Sequence, residues 1–292
     1  MNDTITSGFV VEFKAGWELA AQQKDSRLQA TVTDIGGVTG SSFTHNQLGE
    51  TEANDVTSRL GDTEWSDQNH ETRIVLMQDK DWATPIDQFD VPKLLASPQG
   101  EYMQNGIAAL NRKKDAVIYN ALLGTALTRA EEGAAYGTVD FDPNQAILNS
   151  ATGFTKAKIL AAKKLFRANE CDEYNGETLY MLFNSDMLEQ ILSDTTLTSS
   201  DFMAVQMLQQ GALAGKWCGF NWVPYEKLKN ANGIKTTMAY TKSSLKFGTG
   251  MSREIDISPR RDKKNAIQIY ARESYGAGRV FENKVVSVDF TV

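Results

Sequence analysis

An α+β fold is predicted from three features of the chain. The last forty residues read as strands: 253–257 alternates, 259–265 turns, 266–273 sets Ile267, Ile269 and Ala271 on one side, and 284–292 ends in a Val-rich run. Period-two alternation bounded by Gly and Pro is the mark of strands with one buried face. Upstream, Met103, Ile107, Leu110, Val117, Ile118 and Leu122 recur at three- and four-residue spacing, the mark of a long amphipathic helix. Between these blocks, residues 154–192 run helix, strand, short helix.

Taken in order, residues 8–32 look helical in part, with Val10, Val11, Phe13, Trp17, Ala20 and Ala21 near helical spacing and Gly8 and Gly16 weakening the pattern. Residues 34–71 are polar and Gly-punctuated, with eight acids and one Arg. Such a stretch cannot bury a core of its own. It is flanked by strand signals at 72–77 and 82–86, so a long two-stranded loop projecting from the body is expected. The helix then runs about 22 residues, roughly 33 Å, with Lys113, Lys114 and Asp115 on its polar side and Gly124 as its stop. Residues 126–150 read as a connection. The helix over 154–168 puts Ile159, Ala162 and Phe166 inward and lysines outward. A buried strand is expected over 177–184, and Ser185-Asp186 is placed to cap a helix over 187–192. A helix over 201–210, an aromatic strand over 216–225, a strand over 236–240 and a short turn or helix over 243–247 lead to the C-terminal strands, which are broken at 274–278.

The chain has 292 residues, 41% hydrophobic and 23% charged, enough for a real core and about two domains. No run of about 18 apolar residues occurs, so no membrane-spanning helix is predicted. The N-terminus lacks the basic and apolar regions of a signal peptide. Cys171 and Cys218 are the only cysteines, which excludes a disulfide framework and suits free thiols in an intracellular protein. Net charge is -7, divided as -9 over residues 1–100 and +2 over 101–292. A protein that grips DNA through phosphates needs a concentrated basic surface, and this chain has no such surplus.

Catalytic constellations are poorly supported. Asp67, His70 and Glu71 fall close together, but His45 and His70 are the only histidines, and a solvated acidic loop is the better reading. No Gly-x-Ser-x-Gly elbow or Gly-Lys-Ser/Thr phosphate loop occurs, and 211–217 comes nearest without the hydroxyl. Cys171 has an acidic setting and Cys218 an aromatic one, neither suited to a thiolate nucleophile. The pairs Asp140/Asp142 and Asp79/Asp81 sit by turns, where acids are common. No cofactor or metal is expected. Trp217 and Trp222, five apart on one unbroken strand, would face opposite sides, one in the core and the other free for a subunit contact.

This order of elements, closing on a strand, Tyr275-Gly276-Ala277 and a final strand, resembles the major capsid proteins of tailed bacteriophages, those with the Hong Kong 97-type fold. The resemblance implies an N-terminal arm (1–33), an extended loop (34–84), a peripheral domain with a spine helix (85–175), an axial domain (176–250) and C-terminal strands returning to the peripheral domain (251–292). It implies a homo-oligomer of pentamers and hexamers, assembled in the host cytoplasm into an icosahedral shell that encloses DNA without reading its sequence. Scaffolding, portal and decoration proteins are the further partners it suggests. The arm and loop would lie on neighbouring copies. Trp17, Trp65, Arg73, Trp82, Trp217, Trp222, Arg260, Arg261, Lys263 and Lys264 are the candidate subunit contacts. The chain reads from Met1 into the arm, so a long cleaved scaffolding segment is not expected, and no Lys–Asn spacing singles out a cross-link. An encapsulin-like compartment shell, a tail-tube subunit and a carboxylate enzyme are the alternatives.

Overall fold

The computed structural model describes residues 20–55, 58–59, 61–63, 65–86, 99–129, 135–193 and 216–292. The helical signals before residue 20 and over 201–210 lie outside them. The described elements are β1 (Thr33–Gly37), β2 (Ser42–Leu48), β3 (His70–Leu76), β4 (Gln78–Ile86), α1 (Gln99–Leu123), β5 (Ala126–Thr128), β6 (Gly137–Val139), β7 (Ala146–Ile147), α2 (Lys156–Ala168), β8 (Leu179–Phe183), α3 (Ser185–Ser193), β9 (Lys216–Trp217), β10 (Phe220–Pro224), β11 (Lys229–Ala231), β12 (Ile234–Thr241), β13 (Leu245–Arg260), β14 (Ala266–Arg279) and β15 (Val285–Thr291). The class is α+β, as expected. Contacts divide the chain into a unit of Ser26–Asp79, Lys113–Ser252 and Ser274–Val292, and a unit of Met1–Asp25, Lys80–Arg112 and Arg253–Glu273.

The first unit is built on a mixed sheet in the order β7-β15-β12-β8-β10-β9, with β11 on β12. β15 pairs antiparallel with β12 from Ile234↔Thr291 to Tyr240↔Val285. Its Val285, Val286, Val288 and Phe290 are buried, as are Met238, Ala239 and Tyr240 beside them. A fully buried side chain of this size contributes about 1.5–3 kcal/mol, so this strand pair anchors the core. Ile159, Ala162 and Phe166 of α2 are buried as the spacing predicted, with Phe166 edge-on to Phe220 at 5.9 Å. The last part of α1 joins this core through Tyr119, whose hydroxyl donates to the Thr236 carbonyl at 2.7 Å and accepts from Lys229 N. Burial pushes that hydroxyl up to about 12.

Several local expectations need correction. Residues 126–150 hold three short strands rather than a bare connection. Lys158 does not face solvent with the other α2 lysines: it is buried and donates to the carbonyls of Asn149, Thr152 and Asp289. Asp115 is likewise buried, and its carboxylate accepts from Ser26 Oγ, Arg27 N and Leu28 N. The α3 cap is Asn184, whose Oδ1 accepts from Met187 N at 3.0 Å, while Asp186 is ion-paired to Lys235. The 216–225 segment is not one strand. Cys218 (φ 52) and Gly219 (φ 82) form a tight left-handed turn that folds β9 back on β10.

The expected break at 274–278 is also absent, since β14 runs through it. Gly276 and Gly278 serve close approach instead. A Cβ at Gly276 would lie 2.7 Å from the Leu76 carbonyl oxygen, and one at Gly278 would lie 2.2 Å from Val75 Cγ2. Glycine inside a strand marks such a crossing as readily as a turn.

In the second unit, residues 22–24 lie along α1: Gln22 Nε2 donates to Asn105 Oδ1, Arg112 Nη1 to Gln22 Oε1, and Asn111 Nδ2 to the Lys24 carbonyl. Together with the Asp115 contacts, this places residues 22–28 of the expected arm on their own helix. Arg253 of β13 ion-pairs with buried Glu273 of β14 and donates to Asn111 Oδ1 at 2.7 Å.

Two outcomes are expected. Gly276→Ala destabilises the protein by about 1–3 kcal/mol, read as a fall in thermal midpoint, whereas Gly100→Ala, where an added Cβ meets nothing within 4 Å, does not. Glu177 is opposed by burial but held below the usual carboxylate range by Lys284 and Ser243. Its contribution is therefore present above the unfolded carboxyl value, near 4.3, and lost as pH falls through the lower folded value. Denaturant titrations should show Glu177→Gln weaker than wild type at pH 7 but losing less stability on acidification.

Candidate assembly surfaces

β2 and β3 form a two-stranded ribbon; the strand signal at 72–77 marks β3, whereas β2 lies in the stretch read only as polar. They pair antiparallel from Ser42↔Leu76 out to Leu48↔His70, and Gly49 N continues the ladder to the Asn69 carbonyl at 2.8 Å. Seven paired positions at about 3.4 Å give a ribbon of roughly 20 Å. Only its root is covered. Arg73, Ile74 and Val75 are buried, whereas His70, Glu71 and Leu48 are exposed. The root joins a four-stranded sheet in the order β2-β3-β5-β6. Cross-strand side chains stiffen the exposed part, with Gln47 donating to Glu71 at 2.7 Å and Thr72 to Asn46 at 2.9 Å.

A charged knot locks this root. Arg73 is 3% exposed, and its Nη2 lies 3.0 Å from Glu282 Oε2 and 2.9 Å from Glu71 Oε2. Arg279 is fully buried and donates through Nη1 to the carbonyls of Leu122 and Gly124, closing the end of α1. Glu282 stands between the two guanidiniums, 3.7 Å from Arg279 Nε. Burial pulls the Arg279 guanidinium below its usual range, and Glu282 opposes that pull. Removing the single carboxylate between two buried cations is far costlier than losing a surface ion pair.

Beyond the ladder, residues 49–69 carry the ribbon's acidic end. Trp65 there is 90% exposed, the most exposed large apolar side chain among the described residues. The opposite charge gathers at the end of the β13–β14 hairpin. Arg260, Arg261, Lys263 and Lys264 are all exposed there, with Lys264 (φ 51) and Asn265 (φ 58) making its left-handed turn. Arg260 is bidentate to Asp262 at 2.8 and 2.7 Å and also donates to Gln268.

The remaining candidate contacts differ. Trp217 and Trp222 pack on each other at 5.7 Å inside the first unit, with Trp222 Nε1 donating to the Trp217 carbonyl. The hairpin turn between them removes the opposite-face geometry of a single strand. Arg73 is likewise committed to its own chain. Trp82 is half-buried and lies over Gly106, where a Cβ would come within 2.3 Å of the ring. Trp17 lies outside the described residues. Asp115, Lys158, Arg279 and Glu282 carried no periodic signal in the sequence. Each is defined by partners distant along the chain.

No group of three or more His, Cys, Asp or Glu that could hold a metal forms among the described residues. Asp142 caps a short helical turn and Asp140 accepts from Thr125. Cys171 is buried, and burial pushes its thiol up, away from the thiolate. No described helix is long and apolar enough to cross a membrane.

The chain matches the family described as phage capsid protein over residues 5–292. No curated protein sequence matches it. Among solved structures it is similar to that of cyanophage Pam1, a capsid asymmetric unit, with TM-score 0.71 at 11% identity, covering 98% of this chain and 97% of that one. Mycobacterium phage Che8 gives 0.70 at 17%, covering 96% and 97%. The capsid structure of cyanophage P-SCSP1u gives 0.69 at 16%, covering 97% and 93%. The fold is of the Hong Kong 97 type, and the chain belongs to the phage capsid protein family as a major capsid subunit.

Proposed function

We propose that each subunit completes its icosahedral head shell by laying its β2–β3 ribbon on an adjacent copy, the shell enclosing double-stranded DNA without reading its sequence. The observation that carries this is the ribbon itself. It is buried at its root by its own body and bare at its end, with a 90% exposed Trp65 in an acidic segment. Isolated exposed aromatics of this kind are typical anchors of protein interfaces. Many such contacts per subunit, each modest, make a closed lattice stable through avidity.

In this reading, residues 1–33 act as arm, 34–84 as extended loop, 85–175 as peripheral domain, 176–250 as axial domain, and 251–292 as the strands that return. Pentamers and hexamers are the units of closure, formed in the host cytoplasm. Portal, scaffolding and decoration proteins are the accessory partners, and no catalytic step is required. The acidic ribbon end meets the basic β13–β14 end, Arg260, Arg261, Lys263 and Lys264, and so sets register between copies.

Electron microscopy of the purified, expressed protein tests the reading. Closed shells are expected; open tubes would point to a tail component, and a solitary monomer at high concentration would overturn it. A neighbouring terminase and portal gene, or DNA inside particles, separates a phage head from a cellular compartment. Replacing Arg260, Arg261, Lys263 and Lys264 together by Gln should reduce shell assembly while leaving the monomer's melting temperature unchanged. Glu282→Gln should lower hydrogen-exchange protection at 73–75 and, at equal protein concentration, slow assembly.

A further inference from the structure

The ribbon crosses its own body on glycines. A Cβ at Gly248 of β13 would lie 2.8 Å from Phe43 Cε1, just as one at Gly278 of β14 would meet Val75. Phe43 pairs with Val75 across the ribbon, so the face that carries both is the face laid on β13 and β14. By the period of a strand, His45 and Gln47 share that face on β2, and Arg73 and Glu71 share it on β3. His45 stands directly opposite Arg73. Lys246 lies two residues before Gly248, on the same side of β13. A half-buried imidazole thus faces a buried guanidinium and a half-buried ammonium. The carboxylates around these cations are already engaged. Glu71 and Glu282 hold Arg73 at 2.9 and 3.0 Å, and Glu282 also faces Arg279. Glu177 holds Lys284, the cation beyond Lys246, at 2.5 Å.

We propose that His45 is an acid-sensitive release at the ribbon root: neutral, it lets β2 and β3 lie closed on β13 and β14, and protonated, it sets a third cation beside Arg73 and Lys246 and frees the root. Like charges directly opposite in an antiparallel pair are destabilising, and histidine is the side chain whose charge changes just below neutral pH. Burial first and Lys246 second hold the ring below its ordinary value of 6.5. On local opening the ring returns to water and to that ordinary value. The closed root is therefore at full strength above about 6.5 and weakens as pH falls towards the lower closed-state value. The release belongs to the single subunit and is independent of where the ribbon end lands.

The test is hydrogen exchange of the full chain, kept unassembled at low protein concentration, at about pH 7.5 and about pH 5.5 with labelling times scaled to the intrinsic rate. Protection over β2 and β3 should fall roughly three- to tenfold on acidification, while β15 in the core sheet keeps its protection. His45→Gln should abolish the fall, and Lys246→Gln should shrink it. His70→Gln, at the exposed end of the ladder, should leave it intact. No fall in the wild-type chain, an equal fall in His45→Gln, or a fall abolished by His70→Gln overturns the proposal. A fall of the same size in β15 overturns it too, since the whole subunit is then opening. Where His45→Gln does not fold, Lys246→Gln decides: an undiminished fall in that variant overturns the proposal, and a smaller one supports it.

Discussion

A strand buried at one end and bare at the other is the constraint on which the rest depends. β3 passes beneath β14 where Gly276 and Gly278 leave no room for a side chain. Arg73, two residues before Val75 at that crossing, is tied to Glu282. These contacts fix where the ribbon leaves the body. Fixing the origin of a ribbon matters more for assembly than fixing its end, because a small angular error at the root becomes a large displacement at a tip roughly 20 Å away. The core strands β12 and β15 pair through buried Met238, Ala239, Tyr240, Val285, Val286, Val288 and Phe290, away from the ribbon. The crossing is what gives the projection its fixed origin.

The charge distribution acts on a shorter range. Acidic residues dominate the ribbon end and basic residues the β13–β14 end of the same polypeptide. At about 0.1 M salt, exposed charges are screened beyond roughly 10 Å, so these two surfaces do not attract across a particle. In the proposed contact they would favour the correct neighbour only once subunits are nearly in place. That suits a lattice whose wrong contacts must come apart before closure. A net charge of -7 suits the shell wall, since a net basic surplus would hold packaged polyanion against it.

Much of the fold was legible because it depends on local periodicity. α1, α2, β8 and β15 lie within a few residues of where spacing placed them, and Ile159, Ala162 and Phe166 face inward as read. The two-stranded ribbon was legible only in part: the strand signal at 72–77 marks β3, while β2 lies in a polar stretch that carried no strand signal. What was not legible depends on distant partners. Lys158 looks like one more lysine on a basic face until Asn149, Thr152 and Asp289 bring their carbonyls to it. Asp115 shares a polar stretch with two exposed-type lysines, and only residues 26–28 reveal it as a buried acceptor. Gly276 and Gly278 read as a turn because sequence alone cannot separate a glycine that bends from one that makes room. Gly219 did bend, and by doing so moved Trp217 and Trp222 into one cluster.

That cluster gives the subunit an optical gauge. Trp217 and Trp222 emit from a buried setting, while Trp65 stands in water and Trp82 is half-buried. An indole in water fluoresces further to the red and is open to dissolved quenchers; one sealed from water shifts blue and is shielded. If the ribbon end is covered as a particle grows, the loss of a quenchable red component would follow it in unlabelled material, and a Trp65→Phe chain would separate that component from the other four tryptophans.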